Sequence, residues 1–218
     1  MVLLYPRTTE NGKLVANYQM VDYREHLHNR HRMLFLTGIL AEGAAEYLNL
    51  LMAMDTVSHD PIRLIITSLG GELDSTFLLY DTMKLLKSPV ETVGRFCASG
   101  ATLILASGRK RYLFPHAKVM LHLPVGQMGG DPKDWEIQLA QMHKYQDKII
   151  DILHNAGVKK SREEILADID RDFWLEPKEA IEYGLADEIL KPEIWQGWIE
   201  KGGDIKVKEN LFQSETKI

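Results

Sequence analysis

Two rhythms of apolar residues alternate along this chain. Short continuous runs read as strands, and longer stretches with apolar residues every three or four positions read as helices. The first run, 33–37 (M-L-F-L-T), stops at Gly38. The stretch 41–54 then carries Tyr47, Leu48, Leu51 and Met54 at helical spacing. A second run, 63–67 (R-L-I-I-T), ends in S-L-G-G, and 74–87 places Phe77, Leu78, Tyr80, Met83 and Leu86 around most of a helix. Residues 90–96 read as a third strand and 99–107 as a third helix, closed by Gly108. Residues 111–114 and 118–121 read as two short strands around Pro115. Strands alternating with helices predict an α/β architecture.

The second half is more helical. Asp131 is a good N-cap and Pro132 suits a first helical turn, so the pattern predicts a long helix over 131–154, stopped by Asn155-Ala156-Gly157. Its apolar stripe, Trp135, Leu139, Met142, Ile149 and Leu153, needs a covering surface, either the protein's own core or a partner subunit. Ser161 and Glu164 form a capping box for a short helix, and a further helix runs from Pro177 to Tyr183, ended by Gly184. Residues 191–218 are charged and contain Gly197, Gly202 and Gly203; they read as a loosely ordered tail that Trp195 and Trp198 partly anchor.

Composition narrows the class. A chain of 218 residues, 45% hydrophobic and 26% charged, is a globular domain with appendages. With a net charge of −5 and no basic stripe, nothing marks a nucleic-acid surface. The longest apolar runs, such as 103–106, are too short to span a bilayer, and the opening M-V-L-L-Y-P-R lacks the pattern of a secretory signal. The lone Cys97 excludes an internal disulfide and suits a reducing compartment: cytoplasm, or an organelle stroma or matrix after removal of a transit peptide. As a residue it reads as a small buried hydrophobe. His26, His28 and His31, with Arg30 and Arg32, read as a solvated basic connector, because no Cys or carboxylate set completes a metal site. No phosphate-binding G-x-x-x-x-G-K-[ST] motif and no solenoid repeat occurs.

Ser99, His122 and Asp172 carry the candidate chemistry. Serine needs a neighbouring base to become a nucleophile, and a carboxylate fixes the tautomer of that base and stabilises its cation. The chain order Ser, His, Asp differs from those of α/β-hydrolases, chymotrypsin and subtilisin. Ser99 sits where a strand ends and a helix begins, near unpaired N–H groups. Gly100 removes bulk beside it, and the Gly70-Gly71 turn can supply a second oxyanion donor.

The motifs S-L-G-G-E, Y-D-T-M, A-S-G-A, Y-L-F-P, V-M-L-H-L-P, D-R-D-F and E-A-I-E-Y-G-L-A-D-E-I-L follow one another, over about residues 20–190, in an order and spacing that resembles the ClpP caseinolytic serine peptidases. The resemblance implies a ClpP/crotonase-like spiral of repeated strand–strand–helix units with a protruding handle helix. It implies an N-terminal arm (1–23), a peptidase domain (24–190) and a C-terminal tail (191–218). Ser99 is then the nucleophile, His122 the general base and Asp172 its orienter, with Gly71 and Gly100 as oxyanion donors. The 131–154 helix, through Trp135, Leu139 and Met142, resembles the handle by which rings stack, and Arg171 resembles the arginine linking stacking to triad alignment. The implied assembly is a pair of stacked heptameric rings, a tetradecamer, of this chain alone or with a second ClpP-type subunit. A separate AAA+ ATPase would unfold substrates, and this chain needs no metal or organic cofactor. The positions matching the family's ATPase-docking cleft are Arg63, Ile65, Leu85, Val93, Tyr112, Phe114 and Leu190. Arg63 stands where the family usually has an aromatic ring, which implies weaker docking.

This sequence departs from the family pattern at several places. Leu69 replaces a proline, R-F-C-A-S-G replaces G-Q-A-A-S-M, and Leu123 replaces a glutamine. The joins at Gly94–Ser99 and Gly108–Arg111 are shorter, and residues 1–23 do not match the usual axial loop. Three other readings stay open: a structural ClpP-like subunit of a mixed ring, a crotonase-type acyl-CoA enzyme, and a membrane-associated peptidase of related fold. The Ser-His-Asp set has no purpose in the second, and the third lacks an apolar span.

Overall fold

The computed structural model describes residues 2–8, 14–41 and 44–200. They fall into two compact units, one of residues up to Met33 together with those from Pro192 on, the other Leu34–Lys191.

The larger unit is the predicted α/β alternation. Strand β3 (Met33–Leu40) leads to α2 (Ala44–Val57), β4 (Ile62–Gly71) to α3 (Leu73–Leu85), and β5 (Val90–Ala98) to α4 (Gly100–Ala106). Strand β6 (Lys110–Leu121) is followed by α5 (Pro132–Ala156), α6 (Arg162–Asp168), β7 (Phe173–Leu175), α7 (Pro177–Tyr183) and β8 (Glu188–Ile189). The sheet runs β3-β4-β5-β6-β7, with β8 also on β6. Pairings β4–β5, β5–β6 and β6–β8 are parallel and β6–β7 is antiparallel. Parallel strands covered on both faces read as unbroken apolar runs. Accordingly Leu64, Ile65 and Ile66 are consecutive and all buried. Helix α4 is buried along its whole length against β4, β5 and β6. Its Thr102 hydroxyl lies 2.8 Å from the carbonyls of Cys97 and Met120, so this buried polar group is satisfied.

The two strands expected around Pro115 are one. In β6 the partners of β5 jump from Leu113 to Lys118, so Pro115, which lacks an N–H, falls where β5 asks for none. Helix α5 begins as its sequence requires: Asp131 caps it with a reciprocal capping box to Asp134, and Gly157 ends it at φ 102°. Its second half enters the core through Ile149, Ile150, Ile152 and Leu153, whereas Trp135 and Leu139 are each 47% exposed and uncovered by this chain.

Arg111 ties the C-terminal elements to the sheet. Its guanidinium pairs with Asp187 and donates to the carbonyls of Ala156 and Gly184, both at 2.7 Å, which closes the ends of α5 and α7. Burial works to raise the Asp187 carboxyl, but hydrogen bonds from Arg111 outweigh it and hold the group below its ordinary value. Arg111→Ala leaves this partly exposed carboxylate and the Ala156 and Gly184 carbonyls without their donor, so it should cost about 1–2 kcal/mol in urea unfolding at neutral pH. A depressed folded pKa stabilises above the unfolded value and is lost as pH falls through the folded one. The penalty should therefore shrink below about pH 4.

The smaller unit contains an antiparallel hairpin of β1 (Val2–Thr8) and β2 (Leu14–Asp22), then α1 (Tyr23–His31), and finally α8 (Pro192–Glu200). Two expectations are corrected here. The basic segment is not a solvated connector: it is helical, His26 and His31 are buried, and their Nε2 atoms lie 3.3 Å apart. Burial lowers the His26 pKa, helped by the charges of His31 and Arg30. Residues 192–200 are not a loose tail either. Trp195 and Trp198, one helical turn apart, pack edge-on at 6.1 Å and Trp198 is buried, which gives the helix an apolar side. Residues 201–218 lie outside the described residues.

Candidate active site

Strand β5 delivers Ser99 to the sheet's end. Ala98 pairs with Met120, and the Ser99 N–H donates to the Met120 carbonyl at 2.8 Å. Ser99 then turns at φ 55°, ψ −126° into α4, where Gly100 is the first helical residue. A serine with positive φ costs roughly 1–3 kcal/mol, and such strain concentrates at reacting groups. The same strand–turn–helix strain presents the serine of other acyl-transfer enzymes.

His122 follows the last residue of β6, and Asp172 precedes the first of β7. Val119, Met120 and Leu121 pair with Leu175, Trp174 and Phe173, so His122 and Asp172 each lie one residue beyond the same end of this antiparallel ladder. The Leu123 N–H, donating to the Ile169 carbonyl at 2.8 Å, holds the two segments together beyond the ladder. Ser99 and His122 line one narrow cavity of about 10 Å³, with Gly100, Leu73 and Ile149 among its other walls. Asp172 is exposed, outside that lining, and no hydrogen bond joins the three side chains within this single chain.

The glycines are placed by close approach. Gly70 stands at φ 84°, and a Cβ there would meet the Ala98 carbonyl at 2.5 Å and the Gly100 nitrogen at 2.7 Å. Gly71 stands at φ 153°, and a Cβ would fall 1.9 Å from the Leu40 carbonyl. The Gly70 N–H is engaged by the Ser68 hydroxyl at 3.1 Å. A Cβ on Gly100 would meet the Thr76 hydroxyl at 2.3 Å. Thr76 therefore accounts for glycine where the resembled family carries methionine. Sequence reading singled out Gly71 and Gly100 but missed Gly70's contact with the Ser99 turn, and it missed Thr76 and Leu73. Ile149 was visible only as part of a stripe.

The other expected residues lie apart from this cavity. Arg171 is exposed, with its guanidinium 3.2 Å from the Asp170 carboxylate. Cys97 is fully buried, and burial pushes its thiol far above the ordinary range, so it is no rival nucleophile. Among the described residues no group of three or more His, Cys, Asp or Glu side chains could hold a metal, and no helix is long and apolar enough to cross a membrane.

Arg63, Ile65, Val93 and Tyr112 occupy neighbouring register positions on β4, β5 and β6, with Leu190 bonded beside them to the Leu113 carbonyl. Ile65, Val93, Tyr112 and Leu190 are buried, whereas Leu85 is 84% exposed. Arg63, which stands where the resembled family has an aromatic ring, is paired. Glu91, its register partner on β5, lies 3.4 Å away, and their side chains are only 15% and 19% exposed. Burial raises the Glu91 carboxyl even with Arg63 beside it, and lowers the Arg63 pKa.

The sequence model of the Clp protease family matches residues 16–193. The chain is 38% identical to ATP-dependent Clp protease proteolytic subunit 1 of Rhodopirellula baltica, covering 73% of this chain and 72% of that protein. It is 35% identical to the subunit 1 of Chlamydia muridarum, covering 82% and 95%. To the chloroplastic proteolytic subunit 4 of Arabidopsis thaliana it is 34% identical, covering 74% of this chain and 56% of that one. The α/β spiral, the motif order and these matches agree: the chain is a divergent member of the Clp protease family.

Proposed function

We propose that this chain is a serine endopeptidase, the proteolytic subunit of a self-compartmentalised Clp-type protease. The strained Ser99, in one cavity with His122 and at the N-terminus of α4, carries the reading. His122 takes the Ser99 proton as the hydroxyl attacks the scissile carbonyl, and returns it to the leaving amine. Gly71 and Gly100 N–H groups face the developing oxyanion. Water then hydrolyses the acyl-enzyme with His122 again as base. Asp172, beyond the same ladder end as His122, orients the imidazole when the subunits assemble, with Arg171 coupling that alignment to ring stacking. The chemistry uses the chain's own side chains and backbone N–H groups with water, in a compartment such as the cytoplasm. A fluorophosphonate should label the assembled protein stoichiometrically, and the adduct should map to Ser99 by mass spectrometry. No label, or label on another residue, sinks the reading.

Stacked rings are the assembly that covers the exposed half of α5. Ring and two-fold closure leaves no open apolar edge. Leu139→Asp should split the large oligomer into smaller rings in native mass spectrometry, without loss of helical circular dichroism. Retention of the full assembly would take Leu139 out of the contact.

Unfolding folded substrates falls to a separate Clp-type ATPase, docked at the surface around Arg63, Ile65, Leu85, Val93, Tyr112, Phe114 and Leu190, where Leu85 is the exposed apolar side chain. The Arg63–Glu91 pair changes what a substitution there does. Arg63→Tyr alone leaves the Glu91 carboxylate buried without its partner, so it should destabilise the fold and not improve docking. The double change Arg63→Tyr with Glu91→Val removes both charges and should tighten ATPase binding in surface plasmon resonance. Equal tightening by the single variant would show that Glu91 needs no partner.

A further inference from the structure

We propose that Tyr145 and Asp74 form a clamp across the mouth of the Ser99–His122 cavity and thereby select the size of the acyl-side residue. Both are positioning residues, and the proposal rests on the peptidase reading above. The cavity of about 10 Å³ holds no more than one water, so a peptide side chain enters only if its walls separate. Two of those walls are Leu73, in the first turn of α3, and Ile149, where α5 enters the core. Asp74 is the neighbour of Leu73, and Tyr145 lies one helical turn before Ile149.

The Tyr145 hydroxyl donates to both carboxylate oxygens of Asp74, at 3.0 and 3.2 Å. Its ring packs at 5.8 Å on Phe77, one turn further along α3, and the Lys148 ammonium lies 5.1 Å from the Phe77 ring and 5.9 Å from that of Tyr145. Tyr145 thus grips α3 at two levels, one polar and one apolar. The hydrogen bond to Asp74 raises the phenol's pKa, with burial and the carboxylate's charge adding to it, so the donor stays protonated throughout the working range. Nothing in the proposed chemistry uses either residue. They join the two helices that carry the Leu73 and Ile149 walls.

Tyr145→Phe keeps the ring on Phe77 and removes only the donor. The test compares acetyl-alanine and acetyl-leucine p-nitrophenyl esters on the assembled full chain. The leucine-to-alanine ratio of kcat/KM should rise about fivefold, the worth of one hydrogen bond, through KM and not kcat. Asp74→Ala should give the same ratio, the double variant no more, and Asp74→Asn, which keeps an acceptor, should stay near wild type. An unchanged ratio, or an equal fall for both esters, overturns the clamp. Hydrogen exchange separates the clamp from the peptidase reading. Amides 73–76 and 147–151 should exchange faster in Tyr145→Phe whether or not the protein hydrolyses esters. If wild type turns over neither ester nor reacts with a fluorophosphonate, the peptidase reading fails. Unchanged exchange then also overturns the contact between the two helices, whereas faster exchange upholds that contact and the size selection falls with the peptidase reading.

Discussion

Ser99→Ala should lower turnover of peptide esters and amides by about 10⁶, the scale on which removing a serine nucleophile acts in subtilisin, or roughly 8 kcal/mol of barrier. Background hydrolysis from the oxyanion donors should remain, because those donors are backbone N–H groups that the substitution does not remove. Stability supplies a second arm. Ser99 stands at φ 55°, ψ −126°, where any Cβ is strained. Alanine keeps that Cβ and should unfold at the same urea concentration as wild type. Ser99→Gly relieves the strain and should gain about 1 kcal/mol while being equally inactive. Inactivity together with higher stability is the mark of a residue kept for chemistry against the preference of the fold. A Ser99→Ala variant within tenfold of wild type would place the nucleophile elsewhere.

The alternation of strands and helices was legible because each element has one dominant period and a marked end. Runs such as L-I-I are buried on both faces, and Asp131-Pro132 and Gly157 bracket α5 through capping chemistry that acts within a few residues. What failed to show was stabilised from outside its own segment. Strand β7 has three residues, and only its pairing with β6 makes it a strand. Residues 23–31 lack an apolar stripe, so burial of His26 and His31 had no sequence signal. Helix α8 was hidden by Gly197 and its charges, although the three-residue spacing of Trp195 and Trp198 was the clue available.

The site divides in the same way. Ser99 and His122 follow, and Gly70-Gly71 end, strands that the pattern predicts, so their convergence follows from sheet order. Gly70's approach to Ser99 and Thr76's to Gly100 depend on distances between elements, which spacing does not encode. Nor could the sequence single out Glu91 as partner of Arg63, since that match needs the parallel register of β4 on β5.

Asp172→Asn is the variant that settles the role of Asp172. The strand ladder ends at Leu121–Phe173, one residue short of both His122 and Asp172, and the Asp172 carboxylate is exposed and makes no bond to the imidazole within one chain. Because it holds nothing in the folded monomer, the amide should leave the unfolding midpoint unchanged. Turnover should nevertheless fall about 10⁴-fold in the assembled protein, as the corresponding change does in trypsin, because an amide holds the imidazole in the wrong tautomer and cannot stabilise its cation. Fluorophosphonate labelling of Ser99 should slow in parallel, since phosphonylation also needs His122 to take the proton. The two readouts together locate the defect in the base and not in substrate binding. If turnover stays within about threefold, under 1 kcal/mol of barrier, Asp172 does not orient His122. The imidazole would then have to be oriented by another group, and the shared ladder end would be a feature of folding alone.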